Sequence, residues 1–400
     1  MNLEKLLSER SKFIKGSAIR ELLKLGADKN LISLGGGLPS PDSFPLDLLP
    51  QLTEKVIANY GSFALQYDMT EGFIPLREAL LDYLKYRNIP AAFENIFITS
   101  GSQGFLDCIG KILISPGDYV AVESPTYLAA LQAFNTYEPR YASIETDEEG
   151  LIPESLEKIL MNYPIKFIYS VPTFQNPTGK TIKTARRLQV ASIIKKYNIL
   201  LVEDDPYSSL RYYGEDEIPL KTLAPDNVVY TSTFSKIFAP GIRVGFFVAP
   251  PELGRWMVLA KQAVDLNTST LSQALATEYL TGGYMPAHIQ KVIALYRPKL
   301  ETMLTTLNEN LDKGYSWSKP DGGMFLWLTG PKGLDMENVL KLTLKRGVGF
   351  VPGKFFFPNP TEGLETMRLN FTNVTDEQLK KAVIIISDVL KEETETILID

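Results

Sequence analysis

Residues 166–207 read KFIYSVPTFQNPTGKTIKTARRLQVASIIKKYNILLVEDDPY. Two short apolar runs, KFIYSV at 166–171 and ILLV at 199–202, flank a helical stretch at 186–197. Similar runs stand on either side: NIFIT at 95–99, YVAV at 119–122, VVYT at 228–231 and VGFFV at 244–248, with another helical stretch at 104–114. Runs this apolar are buried on both faces, and their alternation with helices predicts an α/β fold around a mostly parallel sheet. Beyond residue 285 the pattern changes to a long helix at 287–311, short strands at 323–328 and 368–371, and an amphipathic helix at 376–390. At the other end, Ala18, Leu22 and Leu25 recur at helical spacing over 17–25. Gly35-Gly36-Gly37-Leu38-Pro39 then interrupts any regular element, and Pro41 and Pro45 keep the chain extended. The expected organisation is an N-terminal arm at 1–60, a large α/β domain at 61–290 and a C-terminal portion at 291–400, the smaller α+β domain drawing on both chain ends.

Composition narrows the chemistry. The 400 residues hold 41 Lys+Arg against 47 Asp+Glu, a net charge of −6, with 44% hydrophobic and 22% charged residues. This is globular composition, and its mild acidity argues against nucleic acid or an anionic membrane as partner. One cysteine, Cys108, precludes an intrachain disulfide, and one histidine, His288, precludes a His-cluster metal site. No metal is expected. The charged start MNLEKLLSERSKFIKG has no apolar core of a signal peptide, and no apolar run is long enough to span a bilayer. A cytoplasmic protein is expected. Catalysis has to come from Lys, Asp, Tyr, Asn, Arg or a cofactor.

Ligands of open α/β sheets bind beyond the carboxyl ends of the strands, so the residues that follow each run matter. Ser100-Gly101-Ser102-Gln103-Gly104 opens a helix after NIFIT, where backbone N–H groups can meet an anion. Asn176-Pro177-Thr178-Gly179 follows KFIYSV, Glu203-Asp204-Asp205-Pro206-Tyr207 follows ILLV, and Ser232-Thr233-Phe234-Ser235-Lys236 follows VVYT, with Arg243 seven residues on. Taken singly, these read equally well as a polar helix start, a solvated acidic loop and a surface lysine. A Walker loop fails, because Pro352-Gly353-Lys354 is followed by Phe355 and lacks the upstream glycine; the dinucleotide pattern fails at Gly35-Gly36-Gly37. Together the set fits pyridoxal phosphate: an amine for the aldehyde, a carboxylate for the ring nitrogen, a phenol and an amide for the ring oxygen, and a phosphate cup.

In this order NPTG, D-x-x-Y and SK-x6-R resemble the class I/II aminotransferases of PLP fold type I, in particular the branch of 2-aminoadipate and kynurenine aminotransferases. The resemblance covers nearly the whole chain, from SAIRELLKL and ISLGGGLPSPDSFP through QNPTG, VEDDPY and TFSKIFAPGIRVG to MRLNF. It implies that Lys236 is the Schiff-base lysine and proton shuttle, that Asp204 pairs with the ring nitrogen, and that Asn176 and Tyr207 contact the ring oxygen. Gly101, Ser102, Gln103, Thr233, Ser235 and Arg243 are implied as the phosphate cup, with Tyr127 and Pro206 on the two faces of the ring. Asp205 is left as a turn-structural carboxylate. Tyr67 resembles the tyrosine that crosses to a partner's phosphate, which implies a homodimer with shared sites. Arg368 resembles the arginine that clamps the substrate α-carboxylate, a bidentate task, and Gly37 and Leu38 the loop that covers the substrate.

The implied reaction moves an amino group between an L-amino acid and a 2-oxo acid, with 2-oxoglutarate and glutamate as the expected pair. Arg20 matches a helical arginine that reaches a side-chain carboxylate in the aminoadipate branch, or is a surface arginine paired with a nearby glutamate. A broad acidic and aromatic range is expected. Two other readings stand beside it: a different pyridoxal-phosphate reaction on the same scaffold, such as a C–S or β-lyase, and a regulator of the kind that fuses this domain to a DNA-binding module. His288 is expected to cap or flank the long helix, Cys108 to be a small core residue, and Phe355-Phe356-Phe357 to pack beneath the substrate loop.

Overall fold

Successive side chains of the strand Ile165–Ser170 enter opposite apolar clusters. Phe167 and Tyr169 join Val120, Val122 and Phe246, whereas Ile168 joins Ala121, Leu201 and Val228. Period-two alternation with both faces apolar places this strand inside a sheet covered on both sides. The computed structural model that establishes this describes residues 3–14, 16 and 31–399. The helix expected at 17–25, and Arg20 with it, lies outside the described residues.

The main sheet has eight strands. Their spatial order is Ile96–Thr99, Gly245–Val248, Val228–Thr233, Leu201–Asp204, Ile165–Ser170, Tyr119–Ser124, Arg140–Asp147 and Gly150–Leu151. The five strands from Val228–Thr233 to Arg140–Asp147 are mutually parallel, so their carboxyl ends share one edge. Gly245–Val248 runs antiparallel to both neighbours, inserting between Val228–Thr233 and Ile96–Thr99. Helices Ser102–Leu113 and Leu128–Asn135 cover one face through Phe105, Ile109, Leu131 and Phe134; Thr184–Lys196 covers the other through Val190, Ala191 and Ile194.

Two elements depart from the sequence expectation. The strand expected at 199–202 spans Leu201–Asp204, so Asp204 ends the strand instead of following it. Apolar propensity stops at Val202, but Glu203 is held in register by the backbone N–H groups of Leu220 and Lys221, which bond its carboxylate at 3.0 and 2.7 Å. The strand Arg140–Asp147 has no counterpart in the apolar runs, because only Ala142 and Ile144 in it are buried. Pairing with Tyr119–Ser124 defines it.

A second, antiparallel sheet orders Ser316–Trp317, Phe325–Thr329, Thr366–Asn370 and Val351–Pro352. Ile32–Ser33 pairs with Val348–Gly349, which ties the segment before the glycine run to the C-terminal part of the chain. The helix Tyr284–Asn310 passes unbroken through residue 290, where the sequence places a border. His288 does not flank this helix; it is buried within it, with Nδ1 2.7 Å from Tyr279 Oη and Nε2 2.8 Å from Ser43 O. Cys108 is buried in the core. Phe356 packs edge-on to Trp327, with ring centres 5.8 Å apart. No described helix is long and apolar enough to cross a membrane.

Candidate active site

The shared edge of parallel carboxyl ends brings distant segments together. Asp204 terminates the central strand and is 2% exposed. Its Oδ2 accepts from Tyr169 Oη at 2.7 Å, whereas its Oδ1 is buried without a partner. Burial raises its pKa to about 7, the Tyr169 hydrogen bond opposing the shift and nearby Asp205 adding to it. Asp205 points elsewhere: Oδ1 accepts from the Ser208 N–H at 3.1 Å and Oδ2 from Tyr230 Oη at 2.9 Å. Of two adjacent carboxylates, only Asp204 retains a free buried acceptor.

On the next strand, Val228–Thr233 leads into the turn that carries Lys236. Lys236 Nζ donates to Gly37 O at 2.8 Å, so the amine meets the glycine run at 35–37. Burial, then the charges of Arg368 and Arg243, lower its pKa to about 8. Thr233 is turned inward: its hydroxyl accepts from the Ser235 N–H at 3.2 Å and lies 3.2 Å from Val244 O and 2.9 Å from Ser235 Oγ.

Arg243 sits in the left-handed region at φ 52°, and its Nη2 donates to Ser100 O at 3.2 Å. Gly101, at φ +73°, sits in the left-handed region that favours glycine, and a Cβ there would stand 2.5 Å from Arg243 Nη2 and displace the guanidinium. Gly245 fits as tightly, because its Cβ would come 2.7 Å from the Gly101 carbonyl carbon. The helix Ser102–Leu113 starts at this cradle, and its first-turn N–H groups have no intrahelical acceptors. Ser102 is half-buried there, but the Gln103 side chain is exposed and donates weakly to Ala129 O at 3.4 Å. The structure therefore does not bring Gln103 into the cradle.

The other wall comes from the second sheet. Arg368 is 1% exposed, and its Nη1 and Nη2 donate to Asn176 Oδ1 at 2.8 Å and Gly35 O at 2.6 Å. Its Nε has no partner among the described residues, and its charge faces the rings of Phe325 and Phe356, 4.3 and 4.9 Å from their centres. Burial lowers its pKa to about 10, with Tyr207 and Tyr127 opposing the shift. Tyr207 is buried beside Asn176 and meets Phe325 edge-on at 5.9 Å. Tyr127 is half-buried, and burial followed by the Asp204 charge raises its phenol to about 12. Pro206 is half-buried beside Asp205. Gly37 would touch Phe325 at 3.4 Å through a Cβ, and Leu38 is 44% exposed next to it. Tyr67 is 75% exposed on the outer surface.

Sequence reasoning missed Tyr169, Phe325, Gly35 and Ser100. Tyr169 and Phe325 stand inside apolar runs, where an aromatic residue is ordinary core. Gly35 and Ser100 act through backbone carbonyls, which leave no trace in residue type. Glu123 was also missed: buried, with its pKa raised to about 7, it accepts from Gln175 Nε2 at 2.6 Å and Ser170 Oγ at 2.9 Å. These bonds anchor the residue before Asn176.

The free buried acceptor on Asp204, the glycine cradle beside Arg243 and the buried amine with its lowered pKa fit pyridoxal phosphate, and with the mostly parallel sheet they define a fold type I enzyme of that cofactor. The comparisons narrow the class. Residues 30–386 match the sequence profile of the family "Aminotransferase class I and II". The aromatic-amino-acid aminotransferase 1 of Thermococcus litoralis is 44% identical over 98% of this chain and 96% of its own. The crystal structure of a Pyrococcus horikoshii kynurenine aminotransferase superposes with a TM-score of 0.94 at 42% identity, covering 98% of both chains. That of LysN, an α-aminoadipate aminotransferase from Thermus thermophilus holding N-(5'-phosphopyridoxyl)-L-leucine, superposes with a TM-score of 0.92 at 34% identity, covering 99% of this chain and 100% of the other. The chain belongs to the class I and II aminotransferases and is a pyridoxal-phosphate-dependent transaminase.

Proposed function

We propose that this transaminase accepts both acidic and aromatic L-amino acids and passes the amino group to 2-oxoglutarate. The observation that carries the reading is Arg368. It is a buried guanidinium with two neutral acceptors, two aromatic faces and a free Nε. A cation this buried calls for an anion, and a substrate α-carboxylate supplies one from outside. The aromatic surroundings and the relatives named for aromatic, kynurenine and α-aminoadipate activity support the breadth of range. Arg20 is proposed to read the side-chain carboxylate of acidic donors.

When bound, pyridoxal phosphate supplies the aldehyde that takes up the amino group and a protonated ring that draws electrons from the donor's Cα. Asp204 Oδ1 would accept a hydrogen bond from the protonated ring nitrogen, leaving the proton there and balancing its charge. Arg243, Gly101, Ser102 and Ser235 bind the phosphate, Thr233 bracing Ser235 and Gln103 joining only on rearrangement. Tyr127 and Pro206 flank the ring; Asn176 and Tyr207 donate to its oxygen. Arg368 would orient the donor so that its Cα hydrogen faces Lys236, and Lys236 Nζ would take up and return that proton. Gly37 and Leu38 close over the donor and exclude water.

A homodimer is proposed, in which Tyr67 reaches the partner's phosphate cup. The exposed apolar residues Ile57, Phe63, Leu65 and Met69 around it support that reading. The division near residues 60 and 290 is retained as a proposal, with Tyr284–Asn310 as a spine common to both parts, and a cytoplasmic location is proposed. A half-reaction screen tests the assignment. Glutamate, 2-aminoadipate and an aromatic donor are each expected to bleach the bound cofactor and release a 2-oxo acid without ammonia. Lys236→Ala is expected to abolish turnover; release of ammonia in its place would favour a lyase.

A further inference from the structure

Asp204 and Asp205 are neighbours in sequence, and each is capped by a tyrosine from a different adjacent strand. Tyr169 on Ile165–Ser170 donates to Asp204, and Tyr230 on Val228–Thr233 donates to Asp205. The two carboxylates differ in what remains. Asp205 has both oxygens engaged, the second by the Ser208 N–H, whereas Asp204 has Oδ2 bonded and Oδ1 free and buried. Tyr169 is fully buried, and its ring packs edge-on to Phe134 at 5.8 Å and 82°. The ring is held in the core, and its hydroxyl is directed by the 2.7 Å bond to Asp204 Oδ2.

We propose that Tyr169 is a positioning residue for Asp204: by holding Oδ2 it aims Oδ1 at the ring nitrogen of pyridoxal phosphate and stabilises the ionised carboxylate there, so that the bound ring stays protonated. The inference rests on the proposed role of Asp204 and extends it to the residue that bonds its other oxygen. Two physical effects support it. A carboxylate anchored through one oxygen loses most of its freedom to rotate, which leaves a single direction for the other oxygen. A hydrogen bond to the charged form also favours that form, against the burial and the Asp205 charge that work the other way. Tyr169 itself remains a donor throughout the working range, since burial and Asp204 hold its phenol well above the ordinary value.

The test uses holoenzyme reconstituted with pyridoxal phosphate labelled with 15N in the ring. In the native enzyme the ring nitrogen is expected at the chemical shift of the protonated form. Tyr169→Phe keeps the ring and its packing, and is expected to move that signal toward neutral pyridine and weaken cofactor affinity at least tenfold, the scale of a hydrogen bond to a charged group. Phe134→Leu disturbs the same packing but retains the hydroxyl, and is expected to lower Tm with the nitrogen signal unchanged. A Tyr169→Phe enzyme with native signal and affinity overturns the inference, as does a Phe134→Leu enzyme whose signal moves as far as that of Tyr169→Phe. Asp204→Asn separates this from the reading beneath it: if that variant also keeps a protonated ring nitrogen, the assignment of Asp204 itself fails.

Discussion

Lys236 owes its reactivity to its surroundings, and the consequence can be worked through numerically. With a pKa lowered to about 8 by burial and by the charges of Arg368 and Arg243, about a tenth of the amine is neutral at pH 7. At the ordinary lysine value of about 10.4, the neutral fraction would be roughly 0.04%. The site therefore makes the nucleophilic form on the order of two hundred times more abundant. Protein stripped of cofactor can be mixed with pyridoxal phosphate, quenched with borohydride over a pH series and mapped by peptide mass spectrometry. Capture at Lys236 is expected to rise about tenfold between pH 7 and pH 9 and then level off, because deprotonation is nearly complete. Surface lysines keep climbing over the same interval. Arg368→Met removes the larger of the two charge contributions, and is expected to shift the rise to higher pH and slow capture at pH 7 by several-fold to tenfold. A native profile still climbing tenfold per pH unit beyond pH 9 would refute a perturbed Lys236. An Arg368→Met profile superimposable on the native one would refute the electrostatic part of the reasoning.

Three further outcomes are expected. Asp204→Asn stabilises the cofactor-free protein while abolishing transamination: its folded pKa of about 7 lies above the unfolded value, so the carboxylate costs stability above pH 7, on the order of 2–4 kcal/mol. That cost fades as pH falls toward 4, and a gain in Tm of equal size at pH 4 and pH 8 would contradict the linkage. Phe325→Leu removes the ring 4.3 Å from Arg368 and the edge contact with Tyr207; KM for the donor is expected to rise by roughly ten- to thirtyfold, and an unchanged KM would dismiss the ring as a support for Arg368. Mixed dimers of Lys236→Ala and Tyr67→Ala subunits, each inactive alone, are expected to recover activity at the one site that has both residues, and mixtures that stay inactive at every ratio would exclude shared sites.

The main architecture was legible because a sheet buried on both faces requires continuous apolar runs, and those runs are local. NIFIT, KFIYSV and VVYT each produced a strand within two residues of its expected ends. The runs could not reveal Arg140–Asp147, whose place depends on pairing with a neighbour. Nor could they reveal that Gly245–Val248 runs antiparallel, since strand direction follows from how the chain returns to the sheet. The residues with cofactor chemistry were also readable, as unusual residue types at strand ends.

What joins those residues was not readable. The Lys236–Gly37 contact spans 199 residues and the Arg368–Gly35 contact 333. Both end on backbone carbonyls that any residue would provide. Sequence reserved a carboxylate, an amine and a guanidinium for the site; packing decided that Asp204, and not Asp205, keeps a free oxygen, that Lys236 has a lowered pKa, and that Arg368 is buried with no carboxylate among its hydrogen-bond acceptors in the described residues. The division has a physical cause. Residue type and local period are written along the chain, whereas desolvation and hydrogen-bond occupancy depend on which distant atoms the fold brings within about 3 Å.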